Sequence, residues 1–136
     1  MINHQITKGM TKSYTKKTAT NDGYTSYYTG TLDYLVSTST IINMLIDSAT
    51  DMLDKMLPQD YITVGKEICL VHEHPSLVGE TITFNLAVED VDGHVIYLKF
   101  EAMDSKGAVC SGTYKRTIIG KAKLLEIAYQ RSPGLL

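Results

Sequence analysis

Three groups of residues in this chain have the chemistry for proton transfer and nucleophilic attack: a histidine at 72, a carboxylate at Asp47, and the consecutive hydroxyls Thr38, Ser39 and Thr40. His72 falls where the apolar alternation of its strand gives out. A neutral imidazole there could deprotonate a hydroxyl or a water near neutral pH, and a histidine satisfied at a sheet rim is the equal alternative. Asp47 lies on the polar stripe of a helix, which by default is solvated; facing His72 it would instead orient and charge-stabilise the imidazole. Ser39, by position alone, is a helix N-cap. Gly65, inside a strand, marks a bulge or a close backbone approach. His72 and His74 share one strand face, but without a third ligand in view no metal centre is expected. There is no glycine-rich phosphate loop, nucleophile elbow or HExxH, and no cofactor is expected.

These groups need elements to position them, and the pattern of the chain supplies those elements. Ser39–Leu57 predicts the one long helix, with Ile41, Ile42, Leu45, Ala49, Met52, Leu53 and Met56 at three- and four-residue spacing and Pro58 as its stop. Tyr61–His74, Thr81–Val91, His94–Met103 and Ala108–Ile119 read as strands joined by turns, and Thr11–Thr20 as an edge strand protected by lysines. Asp92-Gly93 marks a hairpin, which leaves His94 exposed to solvent. Between the edge strand and the helix, Tyr24–Tyr34 carries Tyr24, Tyr27, Tyr28 and Tyr34 among Gly, Ser and Thr. It reads either as a surface loop or as a pocket wall, and the aromatic density favours the wall. A tail from Lys121 could form a short helix before Pro133-Gly134.

Consecutive strands with one helix call for an α+β fold. An antiparallel β-sheet wrapped around one long central α-helix is the hotdog arrangement, and such sheets complete their burial by pairing as dimers. Residues 1–10 are expected to be a loosely ordered N-terminus and 11–136 a single domain, since 136 residues suffice for one core. A net charge of −2 gives no electrostatic footprint for nucleic acid or an acidic membrane surface. No apolar run is long enough for a leader or a membrane span, so a cytoplasmic location is expected. Cys69 and Cys110 are expected to be buried free thiols.

The sequence resembles the fluoroacetyl-CoA thioesterase-like family of the hotdog thioesterase superfamily over roughly residues 9–119. The resemblance is carried by Gly9 with TKSYTKKTAT, then VSTSTIINMLIDSA, VGKEICLVHEHPSLVGETI and SGTYKRTII. In that family a Thr and a Glu eight residues apart on the helix act with a His that follows a strand glycine. The Thr falls on Ser39, the Glu on Asp47, the His on His72 and the glycine on Gly65. Ser for Thr keeps the hydroxyl, whereas Asp for Glu shortens the arm by one methylene, and Thr40 replaces the proline that follows the family Thr. The resemblance implies hydrolysis of a short or medium acyl-CoA thioester. His72 would be the base, Asp47 its orienter, Ser39 the nucleophile or water-holder, and the Gly65 amide a donor to the thioester oxygen. Thr38, Thr40, Tyr28 and Tyr34 would line the substrate. A non-catalytic acyl-CoA-binding protein is the alternative, because both the acidic and the hydroxyl positions depart from the pattern. Ser39 and Asp47 on one continuous helix would lie about 12 Å apart along its axis.

Overall fold

The computed structural model describes residues 2–25 and 32–135. Five antiparallel strands form one sheet: β1 (Thr11–Lys17), β2 (Tyr61–His72), β3 (Thr81–Asp92), β4 (Val95–Asp104) and β5 (Gly107–Gly120), in the order β1-β3-β4-β5-β2. Helix α1 (Thr38–Leu53) packs on one face, and α2 (Lys121–Arg131) follows β5.

Period-two patterning decides which sheet face meets α1. Ile82, Phe84, Leu86 and Val88 on β3, and Ile96, Leu98, Phe100 and Ala102 on β4, are all buried. From the helix, Ile41, Met44, Leu45, Ala49, Met52 and Leu53 fill the other half of this core. Ser37, not Ser39, is the N-cap: its Oγ accepts from the Thr40 N–H at 3.1 Å. The α-helix ends at Leu53, and a single 3-10 turn, Asp54–Met56, leads into Pro58.

Two features differ from the pattern-based expectation. β2 and β3 are adjacent in sequence but not in the sheet, where β4 and β5 lie between them. The segment 73–80 is therefore a crossover along the end of the sheet rather than a hairpin turn. β2 consequently forms the far edge, and Cys69, opposite Thr113 on the outer face, is exposed instead of buried. Cys110 is buried, and its thiol is pushed up to about 11 by burial and then by the charge of Glu73. At the N-terminus, Ile6 is buried in the core and the His4 ring meets the Gly93 carbonyl at 3.3 Å, so this end is anchored.

Helix α1 runs antiparallel along β2 and is tied to it at both ends. Thr38 meets His72 at one end. At the other, Asp54 accepts from the Thr63 N–H and Oγ1, while Arg116 of β5 donates to both Thr50 and Thr63. The N-terminal end of α1 is also held from behind, because the Asp22 carbonyl accepts from the Ser37 N–H at 2.9 Å and the Thr40 Oγ1 at 2.9 Å.

Two carboxyls, Asp22 and Asp104, make stability acid-sensitive. Burial pushes Asp22 up, but the bond and charge of Lys16 and the Ala19 N–H outweigh it and hold the group below its usual value. Asp104 is likewise pushed up by burial and held down, net, by the Ser76 hydroxyl and by the Lys106 and Gly107 amides. A depressed carboxyl contributes stability that is fully present above its unfolded pKa and is lost as pH falls through its folded pKa. The melting temperature should therefore be flat down to about pH 5 and fall below about pH 4. Asp22→Asn should flatten that acid limb, and an unchanged limb in thermal melts would contradict the assignment.

Candidate active site

The inner face of β2 carries Ile68, Leu70 and His72, opposite Tyr114, Gly112 and Cys110 of β5. His72 is the last residue of the strand, and Thr38 is the first residue of α1. The antiparallel run of helix and strand brings these two ends together: Thr38 Oγ1 is 2.8 Å from His72 Nδ1. Both residues are half-buried, and His72 Nε2 is buried without a partner among the described residues. A cavity of about 310 Å³ opens beside this pair, walled by Tyr24, Leu35, Val36, His74 and Pro75.

The helix cap decides which hydroxyl reaches the imidazole. With Ser37 as cap, Thr40 turns inward and is spent on the Asp22 carbonyl. Ser39 is exposed, with its Oγ 3.0 Å from that of Ser37. Thr38 alone of the three faces His72. A hydroxyl at 2.8 Å from an unprotonated ring nitrogen is poised to give up its proton as it attacks a carbonyl.

The remaining sequence-predicted residues are dispersed. Asp47 is exposed, nine residues beyond Thr38, or about 13 Å along the helix axis. It does not touch His72 in this chain. The residue eight positions beyond Thr38 is Ile46, which is apolar and partly exposed. Gly65 is seven residues along β2 from His72, about 23 Å at strand rise, so it too lies outside this cavity. Its place in the fold is set by Tyr114, because a Cβ there would stand 2.7 Å from the Tyr114 hydroxyl. Tyr34 is exposed, and Tyr28 lies outside the described residues. His74 Nδ1–H donates to the Ala108 carbonyl at 3.0 Å, which turns its other nitrogen outward. Among the described residues no group of three His, Cys, Asp or Glu side chains could hold a metal ion.

A larger cavity of about 710 Å³ lies on the outer sheet face, lined by residues such as Ser13, Asn85, Lys99 and Glu101. Its polar groups are partly spent on each other, Ser13 on Asn85 and Asn85 on Glu101, and it holds no histidine or cysteine. The smaller cavity beside His72 is the one lined by a hydroxyl in contact with an imidazole.

Residues 17–122 match the family described as FlK, fluoroacetyl-CoA-specific thioesterase. No curated relative matches the sequence. Among solved structures, the fold is similar to that of the fluoroacetyl-CoA thioesterase FlK, with 17% identity, 95% of this chain and 99% of that chain covered, and a TM-score of 0.87. A hot-dog-like protein from Thermanaerovibrio acidaminovorans is 24% identical, with 92% of each chain covered and a TM-score of 0.83. A thioesterase superfamily member from Thermus thermophilus is 17% identical, with 93% of each chain covered and a TM-score of 0.82. A phenylalanine-to-alanine variant of FlK has been solved with fluoroacetate and CoA, and a threonine-to-serine variant with acetyl-CoA.

Proposed function

The chain belongs to the FlK family of thioesterases and is a thioester hydrolase of the hotdog fold; from that premise we propose that it hydrolyses a short or medium acyl-CoA at the Thr38–His72 pair, as a homodimer. The observation that carries this reading is the 2.8 Å contact between Thr38 Oγ1 and His72 Nδ1 beside a cavity. His72 takes the Thr38 proton as Oγ attacks the thioester carbonyl. The tetrahedral adduct expels the CoA thiolate, which recovers that proton from the imidazolium. Water, deprotonated by the same imidazole, then cleaves the acyl-threonine ester and restores the hydroxyl. Leu35, Val36 and Tyr24 give the acyl group an apolar wall.

The dimer rests on β2. This strand of 12 residues has one edge unpaired among the described residues, and Ile68 on its inner face and Val71 on its outer face are 37% and 58% exposed. A long apolar edge is a template for pairing, and a second copy laid antiparallel along it would extend the sheet. Ile68→Lys should therefore convert a dimer into a monomer in sedimentation velocity. It should also lower turnover on the order of tenfold or more through lost positioning. A monomeric wild type with full turnover would remove the dimer from the proposal.

One observation favours a second reading, ligand binding without hydrolysis: no carboxylate among the described residues bonds His72, and Ile46 stands eight residues beyond Thr38. Free-thiol release from acyl-CoAs of graded length separates the two. Turnover confined to one chain-length class is expected. A raised melting temperature with acyl-CoA but no thiol release on any member would establish the binding protein instead.

A further inference from the structure

The crossover from β2 to β3 contains a buried serine that the reaction does not use. Ser76 is 2% exposed, and its Oγ donates to Asp104 Oδ2 at 2.6 Å. Asp104, the last residue of β4, also accepts the Lys106 N–H at 2.8 Å, so its carboxylate is fixed in the β4–β5 turn. On its other side the Ser76 carbonyl accepts the Val36 N–H at 2.8 Å. Val36 is two residues before Thr38, and Ser76 is four residues after His72. Neighbouring backbone links bind the same two segments: Leu35 bridges Leu77, and the Val78 N–H donates to the Tyr34 carbonyl. The segment that delivers Thr38 and the segment that leaves His72 are thus pinned together at Ser76, and Ser76 is pinned to the sheet by Asp104.

We propose that Ser76 and Asp104 are positioning residues that set the Thr38–His72 distance. This rests on the reading of Thr38 and His72 as the reacting pair. Their contact is one hydrogen bond between the start of a helix and the end of an edge strand, and the backbone links between the two segments lie beyond it, at residues 34–36 and 76–78. Shifts of a few tenths of an ångström weaken such a bond, and about 1 Å of misplacement can cost on the order of a hundredfold in rate. A strut between a rigid hairpin and both flanking segments holds the spacing in the absence of substrate. Ser76 touches no reacting atom. It acts through the Val36 amide and the short stretch 73–75.

The test combines kinetics with the ¹⁵N resonances of the His72 ring in Ser76→Ala, Ser76→Thr and Asp104→Asn. In Ser76→Ala, kcat should fall on the order of tenfold with KM within about twofold, since positioning and not binding is lost. The Nδ1 resonance should move toward its value in Thr38→Ala, where the bond is absent. Ser76→Thr, which keeps the hydroxyl, should restore both. A folded Ser76→Ala with wild-type kcat and a wild-type ring spectrum would overturn the proposal. If Ser76→Ala does not fold, Asp104→Asn carries the same two readouts with a smaller shift in the same direction, and no change in either would overturn it. Should the wild type release no thiol from any acyl-CoA, the functional reading falls, while the ring spectra alone still decide whether the strut sets the distance.

Discussion

His72→Ala is expected to lower kcat/KM for the best acyl-CoA by roughly a hundred- to ten-thousandfold, the usual worth of a positioned general base. The variant should stay folded, because His72 ends an edge strand, is half-buried and makes one side-chain hydrogen bond, to Thr38. Thr38→Ala should fall by a similar factor, and the double variant little further, since two groups that act as a unit are not additive. Thr38→Ser keeps the hydroxyl and should retain most activity. Ser39→Ala should stay within about twofold, because that side chain points to solvent and bonds only Ser37. Thiol release with matched melting curves checks the set. If Ser39→Ala proved as damaging as Thr38→Ala, the nucleophile would be Ser39 and the observed contact would be incidental.

Arg116→Ala is expected to cost about 3–5 kcal/mol of stability, enough to leave a domain of this size barely folded. Arg116 is 3% exposed, and its guanidinium ties three elements together. Nε donates to Thr63 Oγ1 at 2.7 Å, Nη1 to the Tyr114 hydroxyl at 2.7 Å, and Nη2 to Thr63 O at 2.8 Å and Thr50 Oγ1 at 3.1 Å. Among the described residues no carboxylate lies within ion-pairing distance of it. A carboxylate is reached through Thr63, whose Oγ1 donates to Asp54 at 2.5 Å. Truncation would leave four buried acceptor bonds unmade and a cavity under β2, and each unmet buried group costs about 1–3 kcal/mol. Arg116→Lys should recover only part of this, since an ammonium cannot reproduce the planar fork. Urea unfolding measures the difference, and a loss below about 1 kcal/mol would show that the fork is not what joins α1 to β2.

The elements were legible because their signals are local. The three- and four-residue spacing of α1, the alternation of β3 and β4, and the Asp92-Gly93 hairpin each depend on a few neighbouring residues. The imidazole at the end of β2 was legible for the same reason, as the point where alternation fails. The choice among three adjacent hydroxyls was not, because a helix may be capped by any of Ser37, Thr38 or Ser39 until something outside it chooses. Here the choice falls to the Asp22 carbonyl and the burial of Val36, which make Ser37 the cap and aim Thr38 at His72.

The same distinction separates what belongs to one segment from what belongs to two. The sequence by itself determined an α+β chain with one long helix, an antiparallel sheet, a histidine where the alternation of its strand ends and a hydroxyl-rich helix start, because periodicity and capping act over a few residues. Only the tertiary structure decided that β2 pairs with β5 and not β3, that Cys69 faces outward, and that Asp47 and Gly65 lie far from His72 in the chain. It also revealed the buried roles of Arg116, Ser76 and Asp104. Those outcomes depend on which distant segments share a hydrogen bond, and a helix advancing 1.5 Å per residue beside a strand advancing about 3.3 Å brings only particular pairs into contact.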